Sequence, residues 1–230
     1  MFLILRGHIR KSFDNKNLLE LIEQLYSIDK ELHIFIHTWN IKANNLSWRQ
    51  IEEDNTVVDE NTIFNYFEHM SMCIKHIIIE DDKLINLSGN TEGKVCKSNA
   101  PTKGYKNLWY GNYKIMDFIY NNYDTNTNIL NTRFDITNFN LLNTNDDILS
   151  IWKNNMNRIF TKNIFIEKYY LFGKDIEFGG CCNLFIGNIG IMYKLLHSMY
   201  FNFDKIALEN SEVIHQEFLI YRENNELFNK

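Results

Sequence analysis

Charged and aromatic side chains follow four short apolar segments of this 230-residue chain. The four segments end in RGH at 6–8, HTWN at 37–40, EDD at 80–82 and RFD at 133–135. Arginines bind phosphate, aromatic rings pack against a base, and carboxylates bind divalent cations. If the segments are parallel strands, these groups meet at one edge of a sheet, where together they suit a nucleoside diphosphate.

The pair Arg133 and Asp135 stands out among these groups. Side chains two residues apart on a strand lie on the same face. Arg133 could therefore neutralise a phosphate while Asp135 binds a metal ion that bridges the same phosphates. Two of the other strand ends have plainer alternatives: Arg6 could pair with a surface carboxylate, and residues 80–82 could form a solvated turn.

Two common nucleotide-binding motifs do not occur in the sequence. It contains no GxxxxGK[ST] phosphate loop, and no GxGxxG follows the first apolar segment. These absences disfavour a nucleoside triphosphatase and a nicotinamide-dependent dehydrogenase. Gly7 has a different use, because a glycine lets the backbone approach a ligand closely.

Strands and helices alternate in the first half of the chain. Three predicted strands, at 2–5, 31–38 and 74–79, have continuous apolar character, which is typical of strands covered on both faces. A fourth strand is predicted at 128–137 and ends in charged residues. Helical spacing predicts intervening helices at about 18–25, 63–70 and 104–123. The alternation predicts an α/β fold with a mainly parallel, doubly wound central sheet flanked by helices, and a ligand site beyond the carboxyl ends of the strands.

The second half of the chain is less regular. The pattern predicts helices near 146–160 and 189–200 and from residue 211 onward. A strand is expected near 163–172, followed by a glycine-bearing stretch at 178–190. No linker rich in proline, glycine or serine divides the sequence, so we expect one domain over 1–230.

The composition is that of a folded globular protein, with 45% hydrophobic and 23% charged residues. A formal net charge of -5 gives no reason to expect a nucleic-acid partner. No apolar run reaches the roughly 20 residues of a transmembrane segment, and the first apolar run is too short for a secretion signal. We therefore expect a cytoplasmic protein whose four cysteines are free thiols.

Four segments, in this order, resemble small nucleotide-sugar glycosyltransferases of the GT-A fold. They are LRGHIRKSF at 5–13, IFIHTWN at 34–40, APTKGYKNLWYGNYK at 100–114 and NTRFD at 131–135. The resemblance is to enzymes encoded by large DNA viruses and by bacterial capsule or surface-polysaccharide loci. It implies a nucleotide-sugar-binding half at 1–140 and an acceptor-side half at 141–230.

The resemblance implies a metal-dependent donor site. In the GT-A fold an aspartate motif, usually Asp-x-Asp, closes the strand after the third βα unit and holds Mn²⁺ or Mg²⁺ against the donor diphosphate. Asp135 takes that place in this sequence. The motif here has one aspartate, so either a second ligand comes from elsewhere or the phosphates hold most of the ion.

The resemblance also implies a set of donor-binding side chains. Trp39 borders the base, while Lys106 and Tyr110 lie on the helix before the aspartate motif and face the donor. The full set is Arg6, Gly7, Arg10, His37, Trp39, Lys106, Tyr110 and Arg133. A structural role for His37 and Trp39 in the core is the alternative.

Such enzymes commonly use a carboxylate of the acceptor half to activate the acceptor hydroxyl or to stabilise the reacting sugar. The candidate catalytic residues are Glu177, which precedes two glycines, and Glu217; Asp175 and Glu212 are further candidates. A plain turn at Glu177 and a surface pair at Glu217 are the alternatives.

The predicted function is the metal-dependent transfer of a hexose or deoxyhexose from a nucleoside-diphosphate sugar, with uridine as the expected nucleoside, to a glycan or glycoprotein. Aromatic residues make up 14% of the chain, and Trp48, Trp109 and Trp152 could stack on sugar faces. Two alternatives remain open. One is a nucleotide- or glycan-binding module without turnover, and the other is a structural interaction protein whose strand-end charges are solvated.

Overall fold

The computed structural model describes residues 1–47, 51–138, 147–160, 164–166, 170–171, 174–175 and 183–228. Within these residues the chain forms one six-stranded sheet, two two-stranded ribbons and seven α-helices. Its strands are β1 (Phe2–Arg6), β2 (His33–Trp39), β3 (Ile41–Ala43), β4 (Asp54–Val57), β5 (Ile74–Glu80), β6 (Asn128–Arg133), β7 (Phe165–Ile166), β8 (Tyr170–Leu171), β9 (Lys174–Asp175) and β10 (Leu184–Asn188).

The central sheet has the strand order β5-β2-β1-β6-β10-β7. Strands β5, β2, β1 and β6 run parallel, whereas β10 is antiparallel to both β6 and β7. The two ribbons pair β3 with β4 and β8 with β9. The sheet is therefore parallel in the first half of the chain and becomes antiparallel where the second half joins it.

The helices are α1 (Asn17–Ile28), α2 (Glu60–Phe67), α3 (Thr102–Asn122), α4 (Ile148–Asn155), α5 (Ile189–Phe201), α6 (Phe203–Glu209) and α7 (Phe218–Phe228). The long helix α3 packs against α5 and against β2. It buries Trp109, Ile115, Met116 and Ile119 in that contact region. No helix in the described part of the chain is long and apolar enough to cross a membrane.

The prediction of an α/β fold with a mainly parallel central sheet flanked by helices is confirmed. Every residue of β1 is buried, and six of the seven residues of β2 are buried. Strands covered on both faces carry apolar residues at successive positions, and the sequences FLIL and IFI of β1 and β2 satisfy this requirement. The expected single domain over 1–230 stays a prediction.

One strand boundary differs from the prediction and affects the site. The strand expected at 128–137 ends at Arg133, and residues Phe134–Thr137 form a 3₁₀ turn. Arg133 and Asp135 therefore do not lie on one face of a single strand. Instead the chain turns after Arg133, and this turn brings the Asp135 carboxylate back to the Arg133 guanidinium.

The second half also differs in its boundaries. The helix expected from residue 211 begins at Phe218, because residues 211–217 form turns and irregular backbone. The strand expected at 163–172 is represented in the described residues by β7 and β8. The predicted candidates Trp48 and Glu177 lie outside the described residues.

Candidate functional site

A cavity opens at the carboxyl ends of β6, β1 and β2, and we call it the strand-end cavity. The cavity and its open mouth together contain about 800 Å³ of space. Its strand-end wall is formed by Arg6, Gly7, His8, Arg10, Trp39 and Arg133. The lining also includes Gly104, Tyr105, Asn107 and Leu108 of α3, together with Gln216 and Glu217.

Parallel register brings three strand ends to one level. In the sheet Arg6 is aligned with His37 of β2 on one side and with Arg133 of β6 on the other. Parallel strands that are in register end at the same edge of a sheet. The expected convergence of Arg6, Trp39 and the 133–135 segment at one edge is therefore present in the structure.

Arg6 is almost fully buried, with 1% of its surface exposed. Its Nε donates a 2.6 Å hydrogen bond to Oδ1 of Asn131, and its guanidinium lies 5.2 Å from the ring centre of Phe185. Nδ2 of Asn131 donates to Oδ1 of Asn112 at 3.0 Å, and Nδ2 of Asn112 donates to the Leu108 carbonyl at 2.8 Å. This buried polar chain fixes the direction of the Arg6 guanidinium at the cavity.

Asp135 is held between two guanidinium groups. Nε and Nη2 of Arg133 donate to its two oxygens, both at 2.7 Å, and Nη1 of Arg10 donates to Oδ2 at 2.6 Å. The carboxylate is buried, and it stands behind the two arginines that line the cavity. Burial alone raises the pKa of Asp135, but the charges and hydrogen bonds of Arg133 and Arg10 outweigh burial and hold this pKa far below its usual value.

The sequence-based assignment of Asp135 as a metal ligand does not fit this geometry. Both carboxylate oxygens already accept hydrogen bonds from guanidinium groups, and a divalent cation at the carboxylate would stand next to two fixed positive charges. In addition, no three His, Cys, Asp or Glu side chains are grouped closely enough to hold an ion within the described residues. Asp135 therefore does not provide a site for a cation.

The loop after β1 contributes Gly7, His8 and Arg10 to the lining of the cavity. Gly7 has φ +87°, a left-handed conformation that glycine adopts without strain, and its N–H donates to the His37 carbonyl at 3.0 Å. Arg10 adopts φ +50°, which is uncommon for a residue with a side chain. Its backbone N–H donates to the Lys42 carbonyl at 2.8 Å, which helps to hold the conformation that points its guanidinium at Asp135.

Trp39 lines the cavity, but its ring is only 3% exposed. The ring stacks on Tyr110 at 6.3 Å and contacts the His8 and His37 rings at 5.9 and 5.0 Å. It therefore presents little free surface for the expected contact with a base. The indole mainly supports the strand-end wall.

Two of the expected nucleotide-facing residues, His37 and Tyr110, instead hold Glu80 at the end of β5. Nε2 of His37 lies 3.0 Å from Oε2 of Glu80, and the Tyr110 hydroxyl donates to Oε1 at 2.8 Å. Burial raises the Glu80 pKa, but these hydrogen bonds outweigh it and the pKa lies below its usual value. Gly111 makes this arrangement possible, since a Cβ at that position would lie 2.7 Å from Nδ1 of His37.

Lys106 is also placed differently from the expectation. Its Nζ donates to the Ser88 carbonyl at 2.6 Å and lies 2.7 Å from Oδ1 of Asp204. The side chain lines a second, smaller cavity with Trp109 and Phe203, away from the arginines. Lys106 therefore joins α3 to α6 and to the segment before α3.

The acidic run at 80–82 is not the solvated turn that the sequence also allowed. Asp82 is 2% exposed and accepts a hydrogen bond from Nδ2 of Asn44. Nε2 of His8 lies 3.6 Å from the same carboxylate. Burial lowers the pKa of His8 in spite of this neighbour. His8 and Asn44 both reach the strand-end cavity, so this cluster forms part of its wall.

Glu217 lines the strand-end cavity, and it is 7% exposed. The turn that carries it is tied to α3, because the Tyr105 hydroxyl donates to the Gln216 carbonyl at 2.6 Å. The other candidate carboxylate, Glu177, is among the residues that the structure does not describe. Glu217 thus brings a carboxylate to the cavity that the three arginines line.

Sequence reasoning missed Asn107, whose buried amide lines the cavity. A signal was present in α3, where Gly104, Asn107, Leu108 and Gly111 recur at helical spacing and so lie on one face. Two of these positions are glycines at close contacts, since a Cβ on Gly104 would lie 2.1 Å from the Leu46 carbonyl oxygen. Small residues let one face of a helix pack closely against a neighbouring element. A polar residue on that face, such as Asn107, is therefore directed towards that element.

The fold and the site thus define an α/β protein with an arginine-lined cavity at the ends of parallel strands. No protein-family model and no curated protein matches the chain. Two solved structures are similar. A crystal structure of an active-site mutant of LgtC has a TM-score of 0.48 and 10% identity over 97% of this chain and 69% of that chain. The galactosyltransferase LgtC in complex with donor and acceptor sugar analogues has a TM-score of 0.49 and 12% identity over 99% and 70%. At these values the likeness concerns the fold alone.

Proposed function

We propose that the chain is a glycosyltransferase that moves a hexose or deoxyhexose from a nucleoside-diphosphate sugar to a glycan or glycoprotein acceptor, with uridine as the nucleoside. The observation that carries this proposal is the convergence of Arg6, Arg10, Arg133 and Glu217 on one cavity. Guanidinium groups match the geometry of phosphate oxygens, and a carboxylate can accept the proton of a hydroxyl.

In this transfer the arginines and the carboxylate of the strand-end cavity have different roles. The bond between the anomeric carbon and the β-phosphate oxygen breaks, and its electron pair stays on the departing diphosphate, where arginines stabilise the developing charge. The acceptor oxygen forms the new bond to the anomeric carbon, and its proton passes to a carboxylate. Glu217 is our candidate for that carboxylate, and Glu177 remains a second one.

The segments that resemble GT-A glycosyltransferases support the same proposal. Arg6, Gly7, Arg10 and Arg133 all belong to those segments, and all four line the cavity. The resemblance also implies a Mn²⁺ or Mg²⁺ ion. Because Asp135 does not fit a cation site, the proposal assigns no residue to this ion, and the assay is run with and without metal.

The proposal is tested by incubating the chain with a panel of labelled nucleoside-diphosphate sugars and mixed oligosaccharide acceptors, with and without Mn²⁺. Released nucleoside diphosphate and labelled product are both measured. We expect one donor to be consumed with equal amounts of the two products. Donor binding without release would instead favour a binding module. If no nucleotide or nucleotide sugar binds or shifts the melting temperature, the proposal is wrong.

The role of Glu217 is tested with Glu217→Gln, which removes the proton acceptor and keeps the size of the side chain. Loss of a general base lowers turnover by about 100-fold or more, and we expect donor affinity to change little. Glu212→Gln is the matched control, because Glu212 is exposed and pairs with Arg222 away from the cavity. Equal activity of both variants would exclude Glu217 as the base.

A further inference from the structure

Asn107 is a buried polar residue of the strand-end cavity whose amide is not paired within the described chain. The residue is 4% exposed and lines the cavity. Neither its amide nitrogen nor its amide oxygen has a hydrogen-bond partner in the part of the chain that the structure describes. Nearly all buried polar groups in folded proteins are paired, and an unpaired one is unfavourable. An amide that is unpaired at both atoms therefore points to a partner that the cavity admits.

Contacts on either side of Asn107 hold α3 in place. The Tyr105 hydroxyl donates to the Gln216 carbonyl at 2.6 Å, which joins the helix to the segment before α7. Oδ1 of Asn112 accepts a 3.0 Å hydrogen bond from Nδ2 of Asn131, which joins the helix to β6. These buried contacts fix the rotation of α3. The helix therefore keeps Asn107 at the cavity and does not turn it towards another partner.

The two atoms of a carboxamide have opposite requirements, and these limit the chemistry of the ligand. The nitrogen donates hydrogen bonds and the oxygen accepts them. A phosphate group offers acceptor oxygens, so it would leave the amide oxygen unpaired. An ammonium or guanidinium group offers only donors, so it would leave the amide nitrogen unpaired. Two neighbouring hydroxyl groups satisfy both atoms, because one hydroxyl donates to the oxygen while the other accepts from the nitrogen.

We propose that Asn107 is a specificity-determining residue that binds the 2′- and 3′-hydroxyl groups of the donor's ribose. The inference rests on the proposed function, which brings a nucleoside diphosphate to this cavity. The two hydroxyl groups lie on the same face of the ribose ring, so one planar amide can contact both. A donor without the 2′-hydroxyl leaves part of the amide unpaired, and a site that hydrogen-bonds a hydroxyl group rejects an analogue that lacks it.

The proposal is tested by titrating UDP and 2′-deoxy-UDP into the full chain in a calorimeter, with Mn²⁺ in one series and EDTA in another. We expect UDP to bind about tenfold or more tightly than 2′-deoxy-UDP. Equal affinities would overturn the inference and leave the proposed function standing. If another nucleoside diphosphate binds in place of UDP, the same comparison is made with its 2′-deoxy form. If no nucleoside diphosphate binds in either series, the proposed function is wrong and the inference with it.

Asn107→Leu removes both hydrogen-bonding atoms and keeps the number and branching of the side-chain heavy atoms. We expect the UDP affinity of this variant to fall by about tenfold, and its preference for UDP over 2′-deoxy-UDP to fall below about threefold. Asn121→Leu is the matched control, because Asn121 lies on the same helix, is exposed and donates to the Asp117 carbonyl. The control should keep the preference of the wild type.

The pattern of losses separates the ribose from other partners of the amide. Equal losses of UDP and 2′-deoxy-UDP affinity in Asn107→Leu would place the amide at another group, such as the imide edge of uracil, and would overturn the inference. A loss confined to UDP-glucose would place it at the hexose and overturn the ribose assignment. Unchanged affinities would mean that water pairs with the amide. Circular dichroism establishes that the variant is folded, and the comparison of the two nucleotides on the wild type keeps the proposal testable if it is not.

Discussion

Nε of Arg6 donates a 2.6 Å hydrogen bond to Oδ1 of Asn131, and the two residues are 125 positions apart in the sequence. Both side chains are buried, one on β1 and the other on the neighbouring β6. Asn131 is bonded in turn to Asn112 of α3. A guanidinium at the cavity is therefore oriented by a neutral amide that also joins the sheet to a helix.

The substitution Asn131→Leu removes this orientation and keeps the number and branching of the side-chain heavy atoms. A hydrogen bond to a charged group contributes about 2 kcal/mol, so we expect the free energy of unfolding to fall by about that amount. Urea denaturation followed by circular dichroism measures the change. Asn121→Leu is the control, because Asn121 is exposed and its amide donates to the Asp117 carbonyl of its own helix. Equal destabilisation by the two substitutions would contradict the role of Asn131.

The strand ends of this site can be predicted from the sequence. Apolar runs identify β1 and β2, and the apolar pair Ile129 and Leu130 identifies β6. The three strands end at residues that line the cavity, namely Arg6, Trp39 and Arg133. Parallel pairing then aligns these residues without further information. The meeting of the three segments therefore follows from periodicity and the handedness of βαβ connections.

The directions of individual side chains cannot be predicted in the same way. Lys106 and Asn107 are neighbours on α3, so their side chains point about 100° apart. The two glycines mark the face that carries Asn107 as closely packed, but the helical pattern does not specify that this face meets the arginines, because that depends on how α3 is rotated against the sheet. Asp135 is a second case, since its contact with Arg10 depends on a 3₁₀ turn that the strand pattern does not reveal.

Asp135 is expected to make stability depend on pH in acid. Its pKa in the folded chain lies well below the ordinary value of an aspartate. A lowered pKa stabilises the folded state above the unfolded pKa, and this contribution is lost as the pH falls from about 4 towards the folded value. At neutral pH, Asp135→Asn should lower the free energy of unfolding by about 2 kcal/mol, since two partly exposed arginines lose their carboxylate.

The measurement compares urea unfolding of the wild type and Asp135→Asn at a series of pH values from neutral to acid. The difference between the two proteins should be constant above about pH 5 and should shrink below about pH 4. A difference that is the same at every pH would show that the carboxylate charge of Asp135 does not contribute to stability.

Gly111 is expected to be required for the contact between α3 and β2. Alanine is the better helix former by about 1 kcal/mol, but a Cβ at Gly111 would lie 2.7 Å from Nδ1 of the buried His37. Gly111→Ala should therefore destabilise the protein by about 1–3 kcal/mol. Gly190→Ala in α5 is the matched control, because its Cβ would meet its nearest atoms at 3.5 Å. Thermal unfolding should show a lower melting temperature for the first variant and an equal or higher one for the second.

Asn107 and Asn112 should respond in opposite directions to the same substitution. Both are buried on α3, but Asn112 is hydrogen-bonded to Asn131 and Leu108, whereas the Asn107 amide has no partner in the described residues. Replacing an unpaired buried amide by an apolar group of similar size removes a desolvation cost of about 1–3 kcal/mol.

Asn107→Leu should therefore raise the melting temperature of the ligand-free protein and weaken UDP binding by about tenfold. Asn112→Leu should lower the melting temperature, because it breaks the polar chain that reaches Arg6. Differential scanning calorimetry and titration calorimetry measure the two effects on the same samples. A lower melting temperature and unchanged UDP affinity for Asn107→Leu would mean that the amide serves the folded structure and not a ligand. A higher melting temperature together with weaker UDP binding is expected if the Asn107 amide is left unpaired for a ligand at the expense of stability.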